Sequence, residues 1–262
     1  SLAALALQGP TSAAVLNRIA DADVRNLKYF RMTSGTIAGV PVDISRTGYT
    51  GDLGYEIWMP WGRAMEVWDA IMAGGQPFGV RPAGMLALDV ARLEAGLLLI
   101  DIDFHSSHKA VTESQKYSPY EMGLDRLVHL NKAPFVGREA LGEMRRRGTP
   151  RRIVGLVVHW PSVEQLFEAV GMPPELPITA SRTAVPVFKQ DRQIGRATTT
   201  GWSPVLKKLI ALATLSAPHF EEGTTVELEL TVEVVRHRVP AIVVRTPFFS
   251  PARKIEAPID LL

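Results

Sequence analysis

The sequence contains no cysteine, and this absence excludes several kinds of chemistry. Disulfide bonds, thiolate metal sites, iron–sulfur clusters and a cysteine nucleophile all require a thiol. Long apolar runs are also missing, because no stretch of about 20 residues is mainly apolar and free of charge, as a transmembrane helix would be. The chain shows no charged-then-apolar leader, so we expect a cytoplasmic protein that does not enter a membrane.

An excess of charge of one sign is missing as well. Lysine and arginine number 29 and aspartate and glutamate number 27, which leaves a net charge of +2. This imbalance is too small to indicate a nucleic-acid partner. Hydrophobic residues make up 46% of the 262 residues, so the chain can bury a large core and is not intrinsically disordered.

The pattern of apolar residues changes near residue 150. Before it, we predict strands over 36–45 and 54–60 and helices over 62–74, 83–95 and 138–147. After it, short apolar alternations are separated by proline and glycine turns, as in a small barrel or sandwich. The alternations cover residues 152–158, 185–188, 193–200, 209–215, 224–235 and 239–245. We therefore place a domain boundary between residues 149 and 150.

Residues 45–56 read Ser-Arg-Thr-Gly-Tyr-Thr-Gly-Asp-Leu-Gly-Tyr-Glu. The three glycines predict a tight loop between two strands, and no helix follows as in a dinucleotide fingerprint. Tyr49 and Tyr55 could stack on a planar ligand, while Asp52 or Glu56 accepts two N–H donors from the edge of a heterocycle. The alternative is a decorated hairpin without a ligand.

Acidic side chains in two places are candidates for a catalytic role. Asp89 and Arg92 lie three residues apart in a predicted helix, where they can also form a simple surface ion pair. Asp101 and Asp103 follow the apolar run 97–100, which would shield them partly from water. Their alternative role is to cap a loop. Two histidines just downstream lack a third ligand at matching spacing, so we expect no metal site.

Five sequence blocks occur in a fixed order along almost the whole chain. They are Leu7-Gln-Gly-Pro, residues 45–56, Ala91-Arg-Leu-Glu-Ala-Gly, Ser118-Pro-Tyr-Glu with Phe135-Val-Gly-Arg-Glu-Ala-Leu, and Ile194-Gly through Thr200-Gly-Trp-Ser-Pro to Ile210-Ala-Leu. This series resembles the aminomethyltransferase family, which comprises the glycine cleavage T-protein and related tetrahydrofolate-dependent demethylases. The resemblance implies an α+β fold. It places part of the folate-binding central domain in residues 1–149 and a small β-barrel domain in residues 150–262.

The resemblance also implies an activity, namely transfer of a methyl or aminomethyl group to tetrahydrofolate. The donor would be a small molecule or a lipoyl carrier protein. Tyr49 and Glu56 match the family's folate-binding residues, and Asp89 and Asp103 match aspartates that we take as candidate catalytic residues. A non-catalytic folate-binding or assembly subunit is the alternative.

The sequence departs from the family pattern in two respects. Leu88 stands where the family has an arginine, which favours a one-carbon donor other than the glycine-derived one. The family's N-terminal third, with the aspartate usually taken as its acid or base, has no counterpart in residues 1–262. We therefore expect another chain or segment to supply that part, and the chain alone to be inactive.

Overall fold

Residues 2–60 build a four-stranded antiparallel sheet in the order β1-β4-β3-β2. The computed structural model describes residues 1–256. The strands are β1 (Leu2–Gln8), β2 (Met32–Ile37), β3 (Val40–Ser45) and β4 (Gly54–Pro60). The predicted strand over 54–60 is found with the same bounds, and the predicted pair over 36–45 is the β2–β3 hairpin.

The two faces of this sheet differ because side chains alternate along each strand. On β3, Val40, Val42 and Ile44 are buried, whereas Pro41 and Asp43 are exposed. The buried face packs into one core with two helices, α1 (Ser12–Ile19) and α2 (Ala64–Gly75). The opposite face carries polar and mixed side chains, and Glu56 on β4 is one of them.

A third helix and the C-terminal segment complete this part of the molecule. Helix α3 spans Met85–Glu94, and a 3₁₀ turn spans Ala252–Lys254. By packing, the chain divides into two compact units, Ser1–Ala95 with Phe249–Leu262, and Gly96–Phe248. The domains predicted from the sequence, 1–149 and 150–262, follow a different criterion and stay a prediction; residues 257–262 of the second lie outside the described residues.

The second unit contains helix α4 (Arg138–Arg147), helix α5 (Trp160–Glu168) and a closed six-stranded barrel. Its strands are β5 (Arg151–Val158), β6 (Val185–Lys189), β7 (Arg192–Ser203), β8 (Lys208–Ser216), β9 (Thr225–Val232) and β10 (Val235–Val244). They close in the order β10-β5-β8-β7-β6-β9. The predicted α+β fold with a C-terminal β-barrel is confirmed.

Strand β7 contains an irregularity that matters for one predicted site residue. Its pairing with β8 shifts register between Ala197 and Thr199, so Thr198 is an additional residue in β7. Such a bulge lets two neighbouring side chains point to similar positions instead of opposite faces.

Within residues 1–256, no helix has the length and apolar character needed to cross a membrane.

Candidate functional site

The glycine-rich motif connects the end of β3 to β4, as predicted. Strand alternation on β4 sends its two adjacent site candidates in opposite directions. Tyr55 is fully buried in the sheet–helix core, and its hydroxyl donates a hydrogen bond to the Val24 carbonyl at 3.4 Å. Burial raises the pKa of Tyr55 above its usual value of about 10. The expectation that Tyr55 stacks on a ligand is therefore wrong, because its ring belongs to the core.

Glu56 lies on the other face of the sheet and is half-buried. One carboxylate oxygen, Oε2, accepts a hydrogen bond from the Thr47 hydroxyl at 2.6 Å, and Thr47 in turn lies 2.8 Å from the Ser45 hydroxyl. The other carboxylate oxygen has no hydrogen-bond partner within residues 1–256. Tyr49, also half-buried, lies in the same loop. This region thus offers a fixed carboxylate with remaining acceptor capacity close in sequence to an aromatic ring.

Gln8, at the end of β1, fastens the loop. Its Nε2 donates to the carbonyls of Thr47 and Tyr55 at 3.3 and 3.2 Å, and its Oε1 accepts from the Thr50 hydroxyl at 3.1 Å. Gly48 and Gly54 make room for this side chain, since a Cβ at either position would lie 2.0 Å from Gln8 Oε1. The glycine spacing of the motif therefore lets one amide bridge both ends of the loop.

Asp52 differs from Glu56, because hydrogen bonds from Arg253 engage both of its carboxylate oxygens. Arg253 donates two hydrogen bonds to its carboxylate, from Nε and Nη2, both at 2.6 Å. Asp52 Oδ1 also accepts from the backbone N–H of Leu53 at 2.6 Å. Of the two carboxylates that the sequence offered for the heterocycle edge, Glu56 alone retains the arrangement expected for that role.

Asp89 and Arg92 form a buried pair on helix α3. Arg92 Nε lies 2.7 Å from Asp89 Oδ1, and the two side chains are 1% and 5% exposed, respectively. The alternative of a solvated surface pair is therefore wrong. The pair neutralises two charges inside the first unit, where an isolated charge would be costly. The catalytic role of Asp89 stays a prediction.

Asp103 is fully buried in the second unit. Its Oδ1 accepts hydrogen bonds from the hydroxyls of Thr198 and Thr199, both at 2.7 Å, and its Oδ2 accepts one from the Leu99 backbone N–H at 2.8 Å. The β7 bulge brings the two consecutive threonines to one carboxylate oxygen. These are the contacts of a side chain that anchors the segment after α3 to the barrel, and its catalytic role also stays a prediction.

Two residues that shape the loop were not predicted from the sequence. One sequence feature could have indicated Gln8, namely its position as a polar amide that ends an otherwise apolar strand just before Gly-Pro. No sequence pattern indicated Arg253, because its partner Asp52 lies 201 residues away in the chain.

Among residues 1–256, no group of three or more histidine, aspartate or glutamate side chains is placed to hold a metal ion.

Comparison with known proteins shows which family this chain resembles. Residues 1–132 match the family model described as the GCVT N-terminal domain, and residues 169–250 match the glycine cleavage T-protein C-terminal barrel domain. The chain is 32% identical over 251 residues to an aminomethyltransferase of Bacillus cytotoxicus, covering 95% of this chain and 60% of that protein. It is 36% identical over 252 residues to an aminomethyltransferase of Moorella thermoacetica, covering 96% of this chain and 61% of that protein.

A solved structure agrees with these matches. The crystal structure of glycine cleavage system aminomethyltransferase T from Bartonella henselae superposes with a TM-score of 0.74 at 26% identity, covering 95% of this chain and 60% of that one. The chain thus spans about 60% of the length of the curated relatives it matches. The resemblance read from the five sequence blocks is confirmed: the chain belongs to the glycine cleavage T-protein family.

Proposed function

We propose that the chain takes part in one-carbon transfer to tetrahydrofolate, with Glu56 as the residue that holds the pterin. The observation that carries this proposal is the Glu56 carboxylate, held at one oxygen by Thr47 and retaining an oxygen without a partner within residues 1–256. A pterin ring presents an amino group and a ring N–H side by side, and a carboxylate can accept both. When bound, tetrahydrofolate would supply the nitrogen that receives the one-carbon unit.

Tyr49 is the second residue that we assign to the pterin. Its ring is half-buried in a loop whose backbone is fastened by Gln8, so ordering it on a ligand costs little additional conformational entropy. Stacking on a flat heterocycle would complement the edge contacts of Glu56. Together the two side chains would fix both the plane and the in-plane orientation of the ring.

The donor that we propose is a methylated amine, sulfur or ether compound. The half-buried Leu88 on α3 provides no positive charge, whereas the family pattern has an arginine there. An aminomethyl group on a lipoyl carrier protein is the second candidate, because the curated relatives are named aminomethyltransferases. The cytoplasmic location, and a further chain or segment that completes the site, belong to the same proposal.

A non-catalytic folate-binding or assembly subunit is a different class of function. The described contacts of Asp89 and Asp103 favour this alternative, because each carboxylate already accepts hydrogen bonds from the protein. Binding of reduced folate without turnover of any donor, even after addition of the N-terminal part of a longer relative, would support it. Turnover under the same conditions would support the transferase.

Substituting Glu56 tests the pterin assignment directly. Glu56→Gln keeps the shape of the side chain but replaces one acceptor oxygen by an N–H₂ donor, so it cannot accept two adjacent N–H groups. We expect binding of 5-formyltetrahydrofolate, a stable reduced folate, to weaken about tenfold or more, as calorimetry can measure. Asp43→Asn is the matched control, because Asp43 lies on the neighbouring strand β3 and its side chain accepts from Ser34. Equal affinity of the Glu56→Gln protein and the wild type would contradict the assignment.

A further inference from the structure

The C-terminal segment 249–256, here called the C-terminal strap, runs along the loop that carries Tyr49 and Glu56. Both belong to the same compact unit, although about 200 residues separate them in the chain. The strap begins at a backbone hydrogen bond from the Phe249 N–H to the Glu94 carbonyl, 2.8 Å long, at the end of α3. It therefore connects α3 and the 45–56 loop.

One side-chain contact between strap and loop is the Arg253–Asp52 pair. Both guanidinium-to-carboxylate distances are 2.6 Å, and Asp52 is only 15% exposed while Arg253 is 43% exposed. A two-point contact of this kind fixes orientation as well as distance, which a single lysine contact does not. The paired carboxylate raises the pKa of Arg253, so this guanidinium stays charged throughout the physiological pH range.

Another contact runs in the opposite direction, from the loop residue Arg46 to the strap. Arg46 is buried, and its Nη2 donates to the backbone carbonyls of Arg253, Lys254 and Glu256 in and after the 3₁₀ turn. Its Nη1 donates to the Leu27 carbonyl at 3.0 Å. Carbonyls at the end of a helical turn lack partners in the turn itself, so a buried guanidinium satisfies them. Without the strap, this charge would lose most of its described acceptors.

The backbone of the loop packs closely against its neighbours at Gly51. A Cβ at this glycine would lie 2.5 Å from the Ala95 Cβ and 3.7 Å from the Phe249 carbonyl oxygen. Its φ of +75° is one that residues with side chains rarely adopt. The loop backbone therefore approaches Ala95, the residue after α3, more closely than a side chain at position 51 would allow, and it is in ordinary contact with the strap.

We propose that the C-terminal strap positions the pterin-binding loop, with Arg253 as its main positioning residue. The proposal rests on the function proposed above for Glu56 and Tyr49. Gln8 bridges Thr47, Thr50 and Tyr55, and the strap adds contacts to the loop at Arg46 and Asp52. Loss of the strap contacts would let the loop leave its binding conformation, and apparent affinity falls in proportion to the fraction of molecules in that conformation.

The test combines two measurements on Arg253→Ala, Arg253→Lys and the control Arg63→Ala. Arg63 forms an exposed ion pair with Glu66 at the start of α2 in the same unit, and it belongs to neither the loop nor the strap. Hydrogen exchange of peptides covering residues 45–56, without ligand, reports whether the strap orders the loop. Calorimetry with 5-formyltetrahydrofolate reports whether that order serves binding.

We expect Arg253→Ala to speed exchange of the loop amides and to weaken folate binding about fivefold, with Arg253→Lys intermediate and Arg63→Ala like the wild type. Unchanged loop exchange in Arg253→Ala would overturn the proposal. Faster exchange with unchanged affinity would also overturn it, because the strap would then stabilise the loop without positioning a ligand site. If the wild type does not bind folate, the proposed function is refuted instead. The exchange measurement, made without ligand, still reports whether the strap orders the loop, so the two failures can be told apart.

Discussion

Replacing Asp103 with asparagine separates an anchoring role from a catalytic one. The carboxylate is fully buried and accepts from the Leu99 N–H at one oxygen and from the Thr198 and Thr199 hydroxyls at the other. Asparagine has the same shape but turns one of the two acceptors into a donor. With its oxygen toward the threonines, its N–H₂ group would face the N–H of Leu99, and both donors would lack a partner.

The free-energy cost follows from these contacts. A buried donor that loses its partner costs about 1–3 kcal/mol, and Asp103→Asn creates two such donors. The threonine hydroxyls can rotate toward other acceptors, and Thr198 already lies 3.3 Å from the Leu212 carbonyl. We therefore expect the free energy of unfolding of the second unit to fall by about 2–4 kcal/mol.

Fluorescence can follow the unfolding of this unit alone. Trp160 and Trp202 lie 4.8 Å apart between ring centroids in the barrel unit, so their emission changes when the barrel unfolds. The other tryptophans, Trp58, Trp61 and Trp68, belong to the first unit and can be replaced by phenylalanine in all variants. Denaturant titration of these proteins gives the free energy of unfolding by linear extrapolation.

Asp101→Asn is the matched control for this experiment. Asp101 lies two residues away and its carboxylate pairs with the exposed Lys109. Its backbone φ of +65° suits asparagine, so the substitution introduces no strain. Asp101→Asn should change stability little. An Asp103→Asn protein as stable as this control, yet with strongly reduced one-carbon transfer, would refute the anchoring role and favour catalysis.

Two further predictions concern the pH dependence of stability and the choice of donor. Burial raises the pKa of Tyr55 in the folded protein above the usual value of about 10, so the unfolded chain loses this proton first as the pH rises. The free energy of unfolding should therefore fall above that pH, and Tyr55→Phe should reduce this decline in alkaline denaturation curves. Identical slopes for both proteins would count against it. Leu88→Arg should raise the ratio of activity with an aminomethyl-lipoyl donor to activity with methylated donors, measured with tetrahydrofolate present; an unchanged ratio would remove Leu88 as a specificity determinant.

Local sequence patterns predicted most of the regular structure. Strand β4 and helix α4 occur with the predicted bounds, since their alternation or periodicity is not interrupted. Helix α5, at Trp160–Glu168, was missed because Pro161 reads as a break, although proline is well accommodated in the first turn of a helix. The predicted strand over 224–235 is in fact β9 and the first residue of β10. The turn between them places Glu233 and Val234 at positive φ without a glycine or asparagine to signal it.

In the candidate site, the sequence predicted the residues of the loop but not which of their side chains are buried. The loop and its acidic and aromatic residues follow from glycine spacing and resemblance, but which of them face a ligand depends on alternation about a core. Tyr55 enters that core and Glu56 does not. The burial of Asp89 with Arg92, and the pairing of Asp52 with Arg253, come from packing between distant segments, which no local pattern encodes.

The bridge that Gln8 forms has a consequence for how this loop can vary over evolutionary time. Surface loops usually accept insertions and deletions, because their length is not tied to anything else. Here one side chain spans the carbonyls of Thr47 and Tyr55, so an added residue would push the two ends apart. A shift of one residue along β4 would also exchange Tyr55 with Glu56, placing a carboxylate in the core and a tyrosine on the open face. We therefore expect the length of residues 47–55 to be constrained as tightly as the identities of Gly48, Gly51 and Gly54.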